Sequence, residues 1–310
     1  MAKEKLITVV GPTAAGKTKL AIYLAKKLHS VIISGDAFQV YRGLDIGTAK
    51  VTVEEADGVP HYLINCLEPT EPYSAAVFQE KAKKYISEEN KKGLIPIVAG
   101  GTGLYVQGLL EGYDYAPKLK KKKEIRQLYE TEGTIGLRKA LKEMIPEEEI
   151  PADPHRMMRL LELKKEGLTI SSIKSNEQIY DGPVIGITMD RTSLYDRINK
   201  RVHVMIEQGL KTEVERILAS GVPETAQALK GIGYKEMIPV IHGTCSLEEA
   251  EMLIAKNTRH FAKRQLTWYK RMPYIHWISG DTKTWLEEAE SYVNSWYRGC
   301  LLYTSDAADE

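Results

Sequence analysis

The chain has 310 residues, of which 43% are hydrophobic and 27% charged, and its formal net charge is +1. This composition is sufficient for a substantial hydrophobic core. The near-neutral charge excludes recognition of nucleic acid by overall charge, so a nucleic-acid partner must be bound by local basic clusters. Three widely separated cysteines without a C-x-x-C pair argue against a disulfide framework and against a zinc site.

The N-terminal residues lack the features of a targeting segment. Residues 1–5 lead directly into a short apolar strand, without the longer apolar stretch and small-residue cleavage site of a signal peptide. No apolar run approaches the roughly 18 residues that cross a bilayer. We therefore expect a soluble, cytoplasmic protein without a membrane partner.

Strand and helix patterns alternate over the first hundred residues. Buried strands are predicted at Leu6–Val10, Val31–Ile33 and Ile95–Ala99, and helices at Lys17–Leu28 and from Ser74 onward. The alternation predicts an α/β fold with a P-loop NTPase-like parallel sheet flanked by helices. In such sheets ligands bind at the carboxyl ends of the strands.

A helical insertion is predicted to interrupt this fold. Residues 117–181 are rich in Lys and Glu and helical in pattern, whereas Pro183–Thr188 returns to a buried strand. We interpret 117–181 as a helical insertion subdomain that contacts RNA, and 1–116 with 182–298 as the P-loop core. Residues 299–310 show no periodicity and are expected to form a tail outside the fold.

A candidate phosphate-binding loop lies between the first strand and the first helix. It fits G-x-x-x-x-G-K-[ST] and consists of Gly11, Pro12, Thr13, Ala14, Ala15, Gly16, Lys17 and Thr18. Its glycines let backbone N–H groups converge on phosphate oxygens, while Lys17 adds a charge and the helix N-terminus its dipole. The Thr18 hydroxyl is a candidate ligand for Mg²⁺. The alternative, a tight turn without a ligand, leaves the Lys–Thr pair without a packing purpose.

Two polar residues follow other strands of the predicted sheet. Asp36 can act as a general base, as a water-mediated Mg²⁺ ligand, or as an acceptor for the hydroxyls of the phosphate loop. Thr102 lies in a Gly-rich turn and can donate a hydrogen bond to a phosphate or to the transferring atom, or it can stabilise the turn. Lys17, Asp36 and Thr102 are therefore the candidate catalytic residues.

Several motifs together make the chain resemble a known family. In chain order they are Gly11–Thr18, Ser34–Tyr41, Gly43–Lys50, Tyr73–Ala76, Gly100–Tyr105, Gly231–Lys235 and Thr258–Trp268. In this order they closely resemble the bacterial tRNA dimethylallyltransferases, over nearly the whole chain to about Trp296. Separate motifs in one order are far more specific than the phosphate loop alone.

The resemblance implies transfer of a dimethylallyl group from dimethylallyl diphosphate to the exocyclic N6 amine of the adenosine 3′-adjacent to the anticodon of tRNA. It implies that residues 11–18 hold the diphosphate with Mg²⁺, that Asp36 is the general base and that Thr102 contacts substrate. The implied partners are a tRNA anticodon stem-loop and dimethylallyl diphosphate, and a monomer is expected. The implied tRNA contacts are Asp36, Ala37, Phe38, Gln39 and Thr102, with His155, Arg156 and Arg159 in the insertion.

The chemistry agrees with this assignment. The adenine amine is a weak nucleophile because its lone pair is delocalised into the ring, whereas the allylic donor spreads the positive charge that develops at its reacting carbon. The protein must then stabilise the departing diphosphate, which a lysine, Mg²⁺ and a helix dipole can do. A stacked base cannot be attacked, so the adenine is expected to be flipped into the pocket.

A basic helix near the C-terminus predicts an RNA-binding face. The capping box that begins at Ser246 predicts a helix to Arg271, with Lys263 and Arg264 among its basic side chains. A solvated amphipathic helix with its aromatic side chains in the core is the alternative, which we favour for Trp268. Arg197 and Arg201 are candidates for a second basic face or for a lid over the diphosphate.

Three other functions fit parts of the sequence. An ATP-binding small-molecule kinase would use the same loop with Arg197 and Arg201 in its lid. A cytokinin-type isopentenyltransferase would prenylate free adenine nucleotides, and it has less need for the basic segments Lys118–Arg126 and Lys256–Arg271. A nucleotide-gated RNA-binding protein would carry no chemistry, so Asp36→Ala would leave it unaffected.

We expect RNA affinity to fall steeply with salt, because basic side chains that contact phosphates release bound counterions. The logarithm of the binding constant should fall linearly with that of the salt concentration, with a slope of roughly −0.7 to −0.9 per phosphate neutralised. The slope is measured by fluorescence anisotropy with a labelled anticodon stem-loop, in salt from about 50 to about 200 mM. A slope near zero would contradict phosphate contacts by these helices.

Overall fold

A computed structural model describes residues 3–115, 123–145, 150–167 and 177–306 of the chain. The chain divides into a core unit, Met1–Gly112 with Ser175–Glu310, and an insertion unit, Tyr113–Lys174. The backbone N–H of Ile179 donates to the carbonyl of Leu110 at 2.8 Å, so the chain rejoins the core before residue 181, at which the sequence analysis ended the insertion. Residues 118–122 of the basic run lie outside the described residues.

The core unit is built on a parallel sheet, which confirms the predicted α/β class. Six strands are described, in the order β3-β2-β4-β1-β5-β6, and all their pairings are parallel. The strands are β1 (Ile7–Val10), β2 (Ile32–Ser34), β3 (His61–Tyr62), β4 (Ile97–Gly100), β5 (Val184–Thr188) and β6 (Ile275–Ser279). Strand β3 was not predicted from the sequence, because its two residues carry no readable alternation of apolar and polar side chains.

Helices surround the sheet in the core unit and form the insertion unit. Those of the core unit are α1 (Lys17–Leu28), α2 (Val53–Ala56), α3 (Ala75–Lys91), α4 (Gly103–Leu110), α7 (Arg191–Glu207), α8 (Leu210–Ala219), α9 (Tyr234–Ile241), α10 (Leu247–Tyr269) and α11 (Trp285–Asp306). Those of the insertion unit are α5 (Lys123–Met144) and α6 (Pro154–Lys165). None of the helices in the described residues is long and apolar enough to cross a membrane.

Local sequence accounts for the helix starts that the sequence analysis placed. The Ser74 hydroxyl accepts from the backbone N–H of Val77 at 3.3 Å and caps α3. At α10 the Ser246 hydroxyl accepts from the N–H of Glu249 at 3.1 Å, and the Glu249 carboxylate accepts from the N–H of Ser246 at 2.9 Å. These reciprocal bonds satisfy donors that a helix N-terminus leaves unpaired, which confirms the predicted capping box.

The insertion unit has a small core of its own. Residue Gly133 interrupts α5 with a φ of 62°, a left-handed conformation that favours glycine. Apolar side chains of α5, α6 and the residue that follows α5 pack together to form this core. They are Ile125, Leu137, Leu141, Ile145, Met157 and Leu161.

The C-terminal helix extends further than the sequence analysis placed the end of the fold. Residues 299–310 were expected to be a tail, but the backbone of α11 is helical to Asp306. Helix α11 packs on α1, where Glu290 accepts a hydrogen bond from the Tyr23 hydroxyl and lies 3.3 Å from the Lys27 ammonium. This packing holds the first part of α11 against the core unit.

Two neighbouring strands approach closely at the carboxyl edge of the sheet. The backbone N–H of Gly35, after β2, donates to the carbonyl of Ala99 in β4 at 2.8 Å. A Cβ atom on Gly100 would lie 2.3 Å from the carbonyl oxygen of Gly35, nearer than real Cβ contacts occur. Glycine at position 100 therefore lets β2 and β4 end side by side.

Replacement of Gly100 by alanine should lower the free energy of unfolding by at least about 2 kcal/mol, because its methyl group meets backbone that cannot rotate away. Gly93→Ala is the matched control: that site has open space and a φ of 77°, so it tests conformation without crowding. We expect the control to cost about 1 kcal/mol. Urea unfolding measures both, and equal costs would contradict the role of close approach.

Candidate active site

The phosphate loop connects β1 to α1 and is supported from behind by distant parts of the core unit. A Cβ atom on Gly11, where φ is 149°, would lie 2.8 Å from the carbonyl oxygen of Ile187 in β5. A Cβ atom on Gly16, where φ is 101°, would lie 3.1 Å from the ring of Trp285 in α11. The glycines at positions 11 and 16 thus allow the loop to pack closely against β5 and α11.

Lys17 lies half-buried at the N-terminus of α1, and its ammonium donates to the carbonyl of Pro12 at 2.7 Å. Burial and the positive charge of Arg201 lower the pKa of Lys17 to about 7, while the negative charge of Asp36 opposes them. An anion bound in the loop would favour the charged form and raise this pKa again. The lysine is therefore set to gain a proton when phosphate binds.

Gln265 braces the phosphate loop against the turn that follows β4. Its side-chain oxygen accepts from the backbone N–H of Thr13 at 2.8 Å, and its amide group donates to the carbonyl of Gly101 at 2.9 Å. The side chain is buried, so both of its hydrogen bonds hold the site together away from water. Gln265 was not predicted as a site residue, although it lies within the motif Thr258–Trp268.

Asp36 and Thr102 stabilise one turn from two sides. The Asp36 carboxylate accepts from the backbone N–H groups of Phe38 at 2.8 Å and Gln39 at 3.2 Å, through the same oxygen. The Thr102 hydroxyl accepts from the N–H of Ala37 at 3.1 Å. These bonds fix the carboxylate at the end of β2, and they agree with the turn-stabilising reading of Thr102.

A pocket of about 820 Å³ opens beside the phosphate loop. Its walls come from the loop, from residues 45–52, from the turn after β4, and from α7 and α10. Side chains of Lys17, Thr18, Asp36 and Gln39 line it together. The pocket thus joins the predicted phosphate site and the predicted base, while Thr102 is not among its lining residues and bonds to Ala37.

Arg201 of α7 also lines this pocket, which agrees with the lid reading of that arginine. The residue is exposed, and it adds a positive charge to the lining of the pocket. The nearest turn of α10 presents Phe261 and Gln265 to the same space. Lys263 and Arg264 are exposed on α10 and are not among the residues that line the pocket.

The remaining predicted RNA contacts lie in the insertion unit. His155 and Arg156 are exposed in the first turn of α6, whose N-terminus is capped by Asp153. Arg159 is half-buried and lies 3.3 Å from the Glu162 carboxylate. The structure therefore leaves His155 and Arg156 accessible to a partner, and it holds Arg159 in an ion pair.

The residues at the pocket suit Mg²⁺ as a partner of a bound diphosphate. Among the described residues there is no group of three His, Cys, Asp or Glu side chains that could hold a metal by itself. Mg²⁺ commonly uses one or two protein oxygens and completes its shell with water and substrate phosphates. The Thr18 hydroxyl and the Asp36 carboxylate supply oxygens of that kind in one pocket.

Comparison with known proteins gives a consistent match. Residues 39–272 match the family model described as IPP transferase. A Bacillus cytotoxicus protein named tRNA dimethylallyltransferase is 45% identical over 287 residues, with 89% of this chain and 90% of the relative covered. A Staphylococcus epidermidis protein of the same name is 43% identical over 312 residues, with 95% and 93% covered.

Solved structures agree with the sequence comparisons. The full-length tRNA isopentenylpyrophosphate transferase from Bacillus halodurans matches with a TM-score of 0.75 and 37% identity, over 99% of this chain and 100% of that chain. A eukaryotic dimethylallyltransferase described as acting on tRNA matches with a TM-score of 0.70 and 25% identity, over 89% and 74%.

The lowered pKa of Lys17 predicts a pH-dependent affinity for inorganic diphosphate. Above pH 7 the free enzyme must take up a proton to charge Lys17, so affinity should fall by up to about tenfold per pH unit. Calorimetric titration at several pH values measures this fall.

Lys17→Arg is the matched control, because an arginine stays protonated throughout this range. Ionisation of the ligand is common to both proteins, so the ratio of wild-type to variant affinity isolates the lysine. That ratio should decline as pH rises above 7. Parallel curves for the two proteins would show that Lys17 keeps its proton without a ligand.

Proposed function

The chain belongs to the IPP transferase family, and from this premise we propose that it transfers a dimethylallyl group from dimethylallyl diphosphate to tRNA. The acceptor is the exocyclic N6 amine of the adenosine 3′-adjacent to the anticodon, and diphosphate is released. One observation carries the proposal: Lys17 of the phosphate loop and Asp36 line a single pocket. A group-transfer enzyme needs a site for the leaving group close to the general base that takes the proton from the acceptor.

The chemistry assigns a role to each side chain. The lone pair of the N6 amine forms a bond to C1 of the dimethylallyl group, and the electron pair of the breaking C1–O bond goes to the diphosphate. The carboxylate of Asp36 takes the proton from the amine, and the charged Lys17 stabilises the diphosphate as it leaves. The backbone of residues 11–16 holds the phosphate oxygens.

We propose that Mg²⁺ accompanies the diphosphate, held by the Thr18 hydroxyl. When bound it supplies positive charge to the leaving group. Thr18 is exposed at the N-terminus of α1 and lines the pocket, which supports this assignment. Thr102 keeps the turn of residues 36–39 in place through its hydrogen bond with Ala37, and we propose that it also contacts the tRNA substrate.

We further propose that the acceptor is an anticodon stem-loop, met by two groups of side chains. Ala37, Phe38 and Gln39 surround the flipped adenine beside Asp36. Exposed basic side chains contact the RNA backbone, and they are His155, Arg156, Lys263 and Arg264, with Arg159 after release from its ion pair. We propose a monomer in the cytoplasm as the active form.

The test is a reaction of the protein with Mg²⁺, dimethylallyl diphosphate and unmodified tRNA, followed by digestion and mass analysis of the nucleosides. Adenosine that carries one additional C₅H₈ unit in the anticodon loop supports the proposal. Prenylation of free adenine nucleotide alone would favour the cytokinin-type enzyme. No prenylated product, together with turnover of ATP, would favour the kinase.

Replacement of Asp36 by asparagine should lower kcat by about 10²–10⁴-fold, the usual contribution of a general base. The amide oxygen can still accept from the N–H groups of Phe38 and Gln39, so the turn should persist and RNA binding should change little. Asp57→Asn is the matched control, because Asp57 is an exposed partner of Lys26. Full activity of Asp36→Asn would remove Asp36 from the proton transfer.

A further inference from the structure

Glu213 of α8 is a buried carboxylate that the proposed reaction does not use. Its side chain accepts three backbone hydrogen bonds, from the N–H groups of Asp45 at 3.1 Å, Ile46 at 2.9 Å and Gly47 at 3.2 Å. The residue is 5% exposed. Hydrogen bonds to an ionised group are stronger than neutral ones, so three of them tie this backbone segment firmly to α8.

Tyr234 completes this arrangement. Its hydroxyl donates to the Glu213 carboxylate at 2.6 Å. Burial, and to a lesser extent the negative charge of Glu213, raise the pKa of Tyr234, so the hydroxyl keeps its proton. The tyrosine ring also lies against Gly47, where a Cβ atom would be 2.5 Å from the ring. Two sequence motifs without an assigned role, Gly43–Lys50 and Gly231–Lys235, therefore meet at Glu213.

The segment tied to Glu213 forms one wall of the pocket and is hydrogen-bonded to the turn of residues 36–39, which holds Asp36. Asp45, Ile46 and Thr48 line the pocket. The carbonyl of Thr48 accepts from the side-chain amide of Gln39 at 3.2 Å, and the backbone N–H of Gln39 donates to the Asp36 carboxylate at 3.2 Å. A short path of hydrogen bonds thus runs from Glu213 to Asp36.

A second tether holds the other side of the same segment. The Lys50 ammonium donates to the carbonyl of Tyr41 at 2.7 Å, to the Asp45 carboxylate at 2.7 Å and to the Asn65 side chain at 2.6 Å. Because Lys50 anchors the far end, loss of Glu213 should displace residues 45–48 without releasing the whole loop. Loss of Glu213 should displace the turn that holds Asp36 more than it displaces the phosphate loop, because Gln265 holds the phosphate loop separately.

We propose that Glu213, together with Tyr234, is a positioning residue for prenyl transfer. It sets the pocket wall at residues 45–48 and, through Gln39, the turn that presents Asp36 to the acceptor amine. This inference rests on the proposed function. Displacement of a reacting group by about 1 Å can cost on the order of 10²-fold in rate, so a tether of this kind affects turnover without contacting substrate.

The experiment compares Glu213→Gln with the wild-type protein. A glutamine has one acceptor oxygen and adds a donor where backbone N–H groups already point, so the tether should fail. We expect kcat at saturating donor and tRNA to fall about 10–100-fold. The affinity for inorganic diphosphate should change less than about twofold, because the phosphate loop has its own supports.

Two further variants make the result specific. Tyr234→Phe removes one hydrogen bond and keeps the ring against Gly47, so it should fold and lower kcat by a smaller factor, about 3–10-fold. Glu215→Gln is the matched control on the same helix, because Glu215 forms an exposed surface pair with Lys211 at 2.8 Å. The control should retain wild-type kinetics.

Hydrogen exchange provides a readout that does not depend on catalysis. Amide protons of Asp45, Ile46 and Gly47 should exchange about tenfold or more faster in Glu213→Gln than in the wild type. Unchanged exchange would show that the tether does not exist. Faster exchange with wild-type kcat would show that it is structural only, and a parallel loss of diphosphate affinity would show a general disturbance; each result overturns the inference.

The two proposals can fail separately. If the wild-type protein prenylates tRNA and both Glu213→Gln and Tyr234→Phe match it, the positioning role alone is lost. If the wild-type protein forms no prenylated tRNA, the proposed function fails, and with it the role of Glu213 in that reaction.

Discussion

The site depends on the close approach of two strand ends, at Gly35 after β2 and Gly100 in β4. Because a side chain at position 100 would collide with the neighbouring backbone, only this pairing lets both turns share the carboxyl edge of the sheet. Asp36 and Thr102 follow directly, and their hydrogen bonds interlock in one turn. The phosphate loop joins them through Gln265, so the pocket rests on one close backbone contact that a few polar side chains then connect to the loop.

Electrostatics then divide the pocket into two parts. Lys17 and Arg201 both line the pocket where we propose that a diphosphate binds, and an anion there would relieve their mutual repulsion. Asp36 adds a negative charge to the same pocket, with one oxygen occupied by its own turn. A pocket of this kind favours a substrate that is strongly negative at one end and a proton donor at the other. This matches a diphosphate donor that meets an amine.

Local sequence patterns were sufficient to predict part of the fold and some of the residues that line the pocket. The phosphate loop, Asp36 and the parallel strands were predictable because each depends on a few adjacent residues and on the rule that ligands bind at strand ends. Gln265 and Glu213 were not, since their partners lie 164 to 252 residues away for Gln265 and 166 to 168 away for the backbone partners of Glu213. Only the folded chain shows that a polar residue on a helix faces backbone rather than water. The length of α11 and the two-residue strand β3 were missed for want of a pattern.

The contact between Gly16 and Trp285 has a consequence for the order in which the protein acquires its activity during synthesis. The phosphate loop leaves the ribosome well before α11, because Trp285 follows Gly16 by 269 residues in the chain. Chains grow from the N-terminus, at about 5–20 residues per second. A nascent chain therefore carries the complete sequence of its phosphate loop before the aromatic ring that packs behind Gly16 has been synthesised.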